Sequence, residues 1–413
     1  MTEKKSLRDL AFFGGPASFE EVHHVGAPNV GDRSRLLERI NGILDRRWLT
    51  NNGPEVREFE NHIAKAAGVK HCVAMSNATI ALEILVRALD IRGEVIVPSL
   101  TFIATAHALW WQHITPVFCD VDAETFTLDP DRVEELLTPQ TSAIIGVHLW
   151  GRPCRIDKLT ELAQRHSLKL IFDAAHAFGC SWKGKMIGQF GEAEVFSFHA
   201  TKFLNTFEGG AVVTNNDELA AKLRMMKNFG FVGYDDVESI GINGKMSEVC
   251  AAMGLTSLET LDQVIDRNHK NYEQYREELS DVDGIELLTY DVNEQSNYQY
   301  IVTLVHDNVT GFSRDQLMSL LWAENVRARR YFYPGCHRME PYNSLFPSAA
   351  ARLPVTESVL QRVLLLPTGT AVSSADISRI CQLIRFAVSH GEEIRQQIPA
   401  TWAHGPGDLP PSR

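Results

Sequence analysis

No hydrophobic run in this chain approaches the roughly 18–20 residues that a membrane-spanning helix needs. The opening, MTEKKSLRDLAFFGG, lacks the apolar core and cleavage site of a secretory signal, so none is expected. Cysteine is sparse, seven in 413 residues, odd in number and without a CxxC pair. That usage suits reduced thiols in a cytoplasmic protein and excludes a disulfide framework. Cys336-His337 has no second ligand pair at zinc spacing, so no metal site is expected. Positive charge is in deficit, 40 Lys and Arg against 52 Asp and Glu, for a net charge of −12. A broad nucleic-acid surface is thereby excluded, while a local basic pocket for a small anion is not. Nucleotide-binding signatures are also missing. No GxGxxG follows a strand, and the GxxxxGK string at Gly179–Lys185 continues with Met186 instead of the magnesium-binding Ser or Thr.

What is present is a large apolar fraction, 44%, enough for two or three domains with cores of their own. Short β-rich runs without alternation, Glu94–Pro98, Ala143–Leu149, Leu168–Phe172, Val195–Phe198 and Ala211–Thr214, suit strands buried on both faces. Helical spacing runs through Thr79–Leu89, Asp157–His166 and Asp217–Asn228. Together they predict a doubly covered, mostly parallel α/β domain over residues 1–261, including an N-terminal arm. A single long helix is expected from Ser247, with Leu255, Leu258, Leu261 and Ile265 on one stripe. A smaller α+β domain follows over 262–395. It carries strands at Tyr298–Val305 and Val326–Phe332, a capped helix from Ser313, and a last helix from about Ser374. Residues 396–413 read as a disordered tail.

Four short segments carry candidate chemistry. Asp173, in IFDAAH, stands at the carboxyl end of a buried strand, where open α/β sheets bind ligands; a plain helix cap is the alternative. Lys202, in VFSFHATK, follows a strand that delivers Ser197; most lysines are solvated, but one among apolar strands loses basicity and can form a Schiff base. Small and hydroxyl residues at Ser76–Thr79 precede a helix whose free N–H groups suit a phosphate, or simply form a cap. The fourth is the Arg327/Arg329/Arg330 cluster beside Tyr331, a local concentration of positive charge in an acidic chain. Strand alternation would place Arg327 and Arg329 on one face and Arg330 on the other. An anion-binding helix start, a carboxylate, a serine and a lysine are together the equipment for pyridoxal phosphate.

The strings FDAAHAFG, SFHATKFLNTFEGGAVVTNN and NGKMSEVCAAMGL resemble the sugar aminotransferases of the DegT/DnrJ/EryC1/StrS family, and the likeness runs from about Ala11 to Glu393. LAFFGGPASF, IGVHLWGRPC, RRYFYPGCHRMEPY and VLLLPTGTAV are similar to the family's dTDP-4-keto-6-deoxyglucose 4-aminotransferases of antibiotic deoxysugar pathways. The resemblance implies a fold-type I enzyme that uses pyridoxal 5′-phosphate. It implies Lys202 as the Schiff-base lysine, Asp173 at the ring nitrogen, His176 at the ring hydroxyl and Phe102 stacked on the ring. Ala78, Thr79 and Ser197 would hold the phosphate, with Asn243 reaching in from a second subunit of a homodimer that shares its active sites. Arg329 and Tyr331 would meet the substrate. The implied reaction moves an amino group from L-glutamate to C4 of a dTDP-linked keto sugar. Amination at C3 or of another sugar nucleotide, and a pyridoxal- or sugar-binding regulator, are the alternatives. The family's dehydratases carry histidine in place of the lysine, so Lys202 speaks against that branch.

Overall fold

The computed structural model describes residues 4–400. Its larger unit is built on seven strands: β1 (His71–Met75), β2 (Glu94–Pro98), β3 (Thr115–Cys119), β4 (Thr141–Val147), β5 (Lys169–Asp173), β6 (Ala193–Ser197) and β7 (Gly210–Thr214). They lie in the order β1-β7-β6-β5-β4-β2-β3. Only β7 runs antiparallel to its neighbours. Alternate strand residues enter opposite cores. On β5, Leu170 and Phe172 join one apolar cluster and Ile171 the other, so both faces are covered, as non-alternating hydrophobic strands require. The fold class is α/β, fold type I, as the sequence implies.

The smaller unit is a three-stranded antiparallel sheet of β8 (Ile285–Leu287), β9 (Ile301–Val305) and β10 (Val363–Leu366), flanked by the helices Arg314–Ala323 and Ser374–Ser389. Ser313 and Gln316 form the expected capping box. The N-terminal residues pack here. Leu7, Leu10 and Phe19, which the sequence reading placed with residues 1–261, lie in the smaller unit's core beside Tyr275 and Leu321. Buried Glu324 fixes them, accepting the N–H groups of Ala11 and Ser18, each at 2.7 Å, and pairing with Lys4 at 3.3 Å. The two units share a further core, in which Leu100, Leu149 and Trp150 meet Tyr300, Val302 and Leu365.

Three expectations are corrected. The long helix from Ser247 is two, Glu248–Leu258 and Leu261–Leu279, because Thr260 leaves helical geometry and its hydroxyl bonds the Ser257 carbonyl. The strand expected over Val326–Phe332 is only Val326–Arg327, paired with His23–His24. The Ala328 N–H turns back to the Val326 carbonyl, and a tight loop follows in which Tyr333 N–H bonds Arg330 and Gly335 N–H bonds Phe332. Of the tail, Gln396 and Gln397 complete a helix and Ile398 is buried, while residues 401–413 lie outside the described residues. The GxxxxGK string folds as a hairpin, Ser181–Trp182 against Lys185–Met186, turning at Lys183-Gly184 with positive φ at both, the geometry of a tight hairpin turn.

Candidate active site

Because β1, β5 and β6 run parallel, their carboxyl ends open on one edge of the sheet, and the sequence-selected residues gather there. β1 delivers Ser76–Thr79, β5 delivers Asp173 and β6 delivers Ser197. β7 starts at this edge with Gly210, opposite both Ser197 and Met75. A Cβ on Gly210 would stand 2.4 Å from the Ala78 nitrogen, so only glycine permits this close approach. Asn77 caps the Ala78–Ala88 helix by accepting the Ile80 N–H at 2.8 Å. Helix geometry leaves the Ala78 and Thr79 amides without intrahelical acceptors. With the half-buried Ser197 hydroxyl across Gly210, these donors form a cradle suited to a phosphate.

Asp173 is buried. Its carboxylate accepts the Thr105 hydroxyl at 2.8 Å and the Ala175 N–H at 3.1 Å. Burial raises its pKa; those two bonds and the charge of Lys202 act against the rise. Lys202 follows β6, and burial lowers its pKa to about 8 against the pull of Asp173. Its Nζ donates to the Tyr300 hydroxyl at 3.0 Å. His176 accepts the Trp150 N–H on Nδ1 at 3.1 Å, which leaves the proton of the neutral ring on Nε2. Burial, reinforced by the charge of Lys202, holds His176 well below its ordinary pKa, so the ring is a neutral donor. Phe102 is 56% exposed, its ring tilted against Phe332 at 6.0 Å, so much of its surface is open for stacking.

Asn243 is exposed, on a segment whose Gly244 carbonyl accepts the Ser76 N–H at 2.8 Å; its own backbone pairs with Asn228. Lys245 on the same segment is bonded to the Asn228 side chain at 2.9 Å. Beside Thr201 and Phe203 opens a cavity of about 1400 Å³, walled by Glu20–Asn29, Tyr300, Arg327, Arg329 and Tyr331. Arg329 lies over the Tyr331 ring and Arg327 over Trp322, and the buried Arg327 Nε has no hydrogen-bond partner among the described residues. Arg330 turns away to Asp315 at 2.8 Å. His24, paired in register with Arg327, also faces the cavity. Its pKa is lowered by burial and by Arg327 and Arg329.

Sequence reasoning missed Thr105 and Tyr300. Thr105 stands in the first turn of the Ala104–Trp110 helix and is fully buried, and no sequence motif marks it. Tyr300 carried no motif signal, since only the fold brings the smaller unit to Lys202.

Ser99, His337 and Glu357 form a chain that looks like a hydrolytic triad, with contacts of 2.6 and 2.5 Å. Ser99 is fully buried and its oxygen also accepts the His337 N–H, so the group anchors the Tyr331–His337 loop and cannot meet a substrate.

Known proteins resemble this chain over most of its length. The sequence profile described as the DegT/DnrJ/EryC1/StrS aminotransferase family matches residues 31–385. A dTDP-4-amino-4,6-dideoxy-D-glucose transaminase of Shigella dysenteriae is 38% identical over 89% of this chain and 99% of its own length. The Escherichia coli protein of the same name is 36% identical over 87% and 97%. A GDP-perosamine synthase of Caulobacter vibrioides is 35% identical over 86% and 95%. The crystal structure of DesI with its TDP-sugar product superposes with a TM-score of 0.89 at 51% identity, covering 94% of this chain and 98% of that one.

Proposed function

The chain belongs to the DegT/DnrJ/EryC1/StrS aminotransferase family, and from that membership we propose that it aminates C4 of dTDP-4-keto-6-deoxy-D-glucose with L-glutamate as donor, giving dTDP-4-amino-4,6-dideoxy-D-glucose. What carries the choice of substrate is the 38% and 36% identity to two dTDP-4-amino-4,6-dideoxy-D-glucose transaminases across nearly their whole lengths, well beyond the cofactor motifs. The 51% identity to DesI, crystallised with a TDP-sugar product, supports the nucleotide. The cofactor, pyridoxal 5′-phosphate, supplies an electron sink for the carbon that gains and loses a proton.

The chain's residues fit that group. The Ala78 and Thr79 amides and the Ser197 hydroxyl are assigned its phosphate, in the cradle that Gly210 leaves open. Asp173 is assigned the ring nitrogen, whose proton its charge retains. His176 would donate from Nε2 to the ring oxygen, and Phe102 would stack on the ring. Lys202 would hold the cofactor and, when released, move the substrate proton as base and acid; burial, which lowers its basicity, favours the neutral amine that a base needs. Arg327, Arg329 and Tyr331 are assigned the sugar nucleotide. A diphosphate in the cavity would meet the Arg329 guanidinium, with the charge of Arg327 beside it.

A homodimer completes the reading. Phe229, Phe231, Val232, Tyr234, Ile240 and Ile242 are exposed together on the segment that carries Asn243, an apolar patch suited to a second copy. Across it, Asn243 would reach the partner's phosphate. No described helix is long and apolar enough to cross a membrane, and a cytoplasmic enzyme keeping its seven cysteines reduced fits this assignment.

The test is to supply glutamate with the 4-keto and 3-keto dTDP sugars and a GDP-linked 4-keto sugar, and to locate the new amine by NMR. Amination at C4 of the dTDP sugar is expected. Preferential turnover of the 3-keto isomer or of the GDP sugar would overturn the substrate assignment.

A further inference from the structure

Tyr300 belongs to the smaller unit, immediately before β9, yet its hydroxyl lies 3.0 Å from Lys202 Nζ on the larger one. Its placement is built rather than incidental. Tyr290 Oη donates to the Tyr300 carbonyl at 3.0 Å and to the Trp150 carbonyl at 3.2 Å. Fully buried Asn297 donates to the carbonyls of His176 and Phe178, at 2.9 and 3.0 Å, and its own carbonyl accepts from Asn268 at 3.1 Å. The segment 290–300 is therefore fastened to the loops on both sides of Asp173. The Tyr300 ring packs 4.8 Å from the His176 ring.

The chemistry of the pair suits a lysine that must be held while free. A phenol can donate its O–H to a neutral amine and can accept from an ammonium, so the contact survives either protonation state. Without such a partner a released lysine side chain would explore many rotamers, and its proton transfer would lose the advantage of a fixed geometry.

We propose that Tyr300 is the positioning residue for the released Lys202 amine, its hydroxyl holding Nζ where the amine takes and returns the substrate proton. The proposal rests on Lys202 being the cofactor lysine, an assignment that borohydride labelling settles without reference to Tyr300. The groups that face Nζ are the Asp173 carboxylate from β5, the neutral His176 from the loop after it, and Tyr300 from the smaller unit. Tyr331 and Tyr290 act in turn on Tyr300.

Tyr300→Phe keeps the ring and its packing against His176 while deleting the hydroxyl. In protein freed of cofactor, competitive acetylation from roughly pH 6 to 10 gives the titration midpoint of Lys202. Because the hydroxyl serves the amine in either protonation state, the variant's midpoint is expected to stay within about half a unit of the wild type's, so that a loss of rate reports placement of the amine. In the complete enzyme kcat should fall about 10²-fold, with the KM for the sugar nucleotide within about twofold of wild type, the pattern of a misplaced catalytic group. A kcat within about twofold of wild type, or a fall in kcat accounted for by a displaced midpoint, would overturn the proposal. Should Tyr300→Phe not fold, 3-fluorotyrosine at position 300 retains the shape and makes the phenol more acidic. The kcat must then change by more than about twofold with no change in the unfolding temperature; an unchanged kcat overturns the proposal equally.

Discussion

The Thr105 hydroxyl points at Asp173 and donates to its carboxylate at 2.8 Å, with the Ala175 N–H holding the other oxygen. This buried pair fixes the carboxylate's rotamer while the Lys202 charge helps keep it ionised. Asp173→Asn retains an acceptor for Thr105 and should leave the fold and cofactor binding intact. A neutral amide cannot hold the ring-nitrogen proton, so turnover should fall by several orders of magnitude, comparable to the ~10⁴ lost when an orienting carboxylate is neutralised in other enzymes. Steady-state kinetics of the folded variant decide it, and near-normal turnover would remove Asp173 from this role.

Adjacent arginines should behave oppositely. Arg329 faces the cavity and Arg330 is paired with Asp315. Arg329→Met should raise the KM for the sugar nucleotide about tenfold, the loss of one charge-assisted contact of about 1.5–3 kcal/mol at its lower end. Arg330→Met should leave that KM unchanged and lower stability by about 1 kcal/mol. Kinetics and thermal unfolding of both variants check the contrast.

The arm that walls the cavity hangs on one carboxylate. Glu324→Ala strips the Ala11 and Ser18 amides of their acceptor and Lys4 of its ion-pair partner, leaving Lys4 its bonds to the Asp9 and Pro16 carbonyls. About 2–4 kcal/mol of stability should be lost, with early proteolytic cleavage before Asn29. The KM for the sugar nucleotide should rise more than that for glutamate, because Glu20–Asn29 borders the cavity. Equal effects on both substrates would separate the arm from nucleotide binding.

Lys202 should cost the cofactor-free protein stability below its own titration. Its pKa is about 8 when folded and near the ordinary 10.5 when unfolded, so between these values the unfolded chain binds more protons. The contribution to stability therefore rises with pH through that window and is least favourable below pH 8. Lys202→Met should accordingly melt a few degrees above the wild type at pH 7, with the difference shrinking from pH 8 toward 10. Calorimetry across that range measures it, and a constant difference would contradict the assigned burial effect.

The strands were readable because buried parallel strands are uninterrupted apolar runs. In the large sheet Glu94–Pro98 is predicted to the residue, and the other four predicted strands are placed within two residues at each end. In the smaller unit Tyr298–Val305 begins three residues late, at Ile301, and Val326–Phe332 stops at Arg327. β1 and β3 escaped notice, β3 because Pro116 interrupts its run. The cofactor motifs were legible because each is local: Asp173, Ser197 and Lys202 sit on or beside single strand ends. Thr105 and Tyr300 were not, since their partners lie 68 and 98 residues away and only the closed fold brings them together. The arm's attachment was hidden for the same reason, Glu324 lying some 300 residues from the amides it accepts. The Arg327/Arg329/Arg330 cluster shows the middle case. Strand alternation separated Arg330 from its neighbours correctly, although only Val326 and Arg327 are strand.

The assignment of Lys202 as the lysine that carries the cofactor is tested most directly by covalent trapping. The enzyme is loaded with pyridoxal 5′-phosphate, reduced with borohydride and digested, and the modified peptide is sequenced by mass spectrometry. The account predicts the added mass on Lys202 alone, and a folded Lys202→Ala variant that takes up no reducible label and does not turn over. Label on a different lysine, or a Lys202→Ala variant that is still labelled covalently, would contradict it.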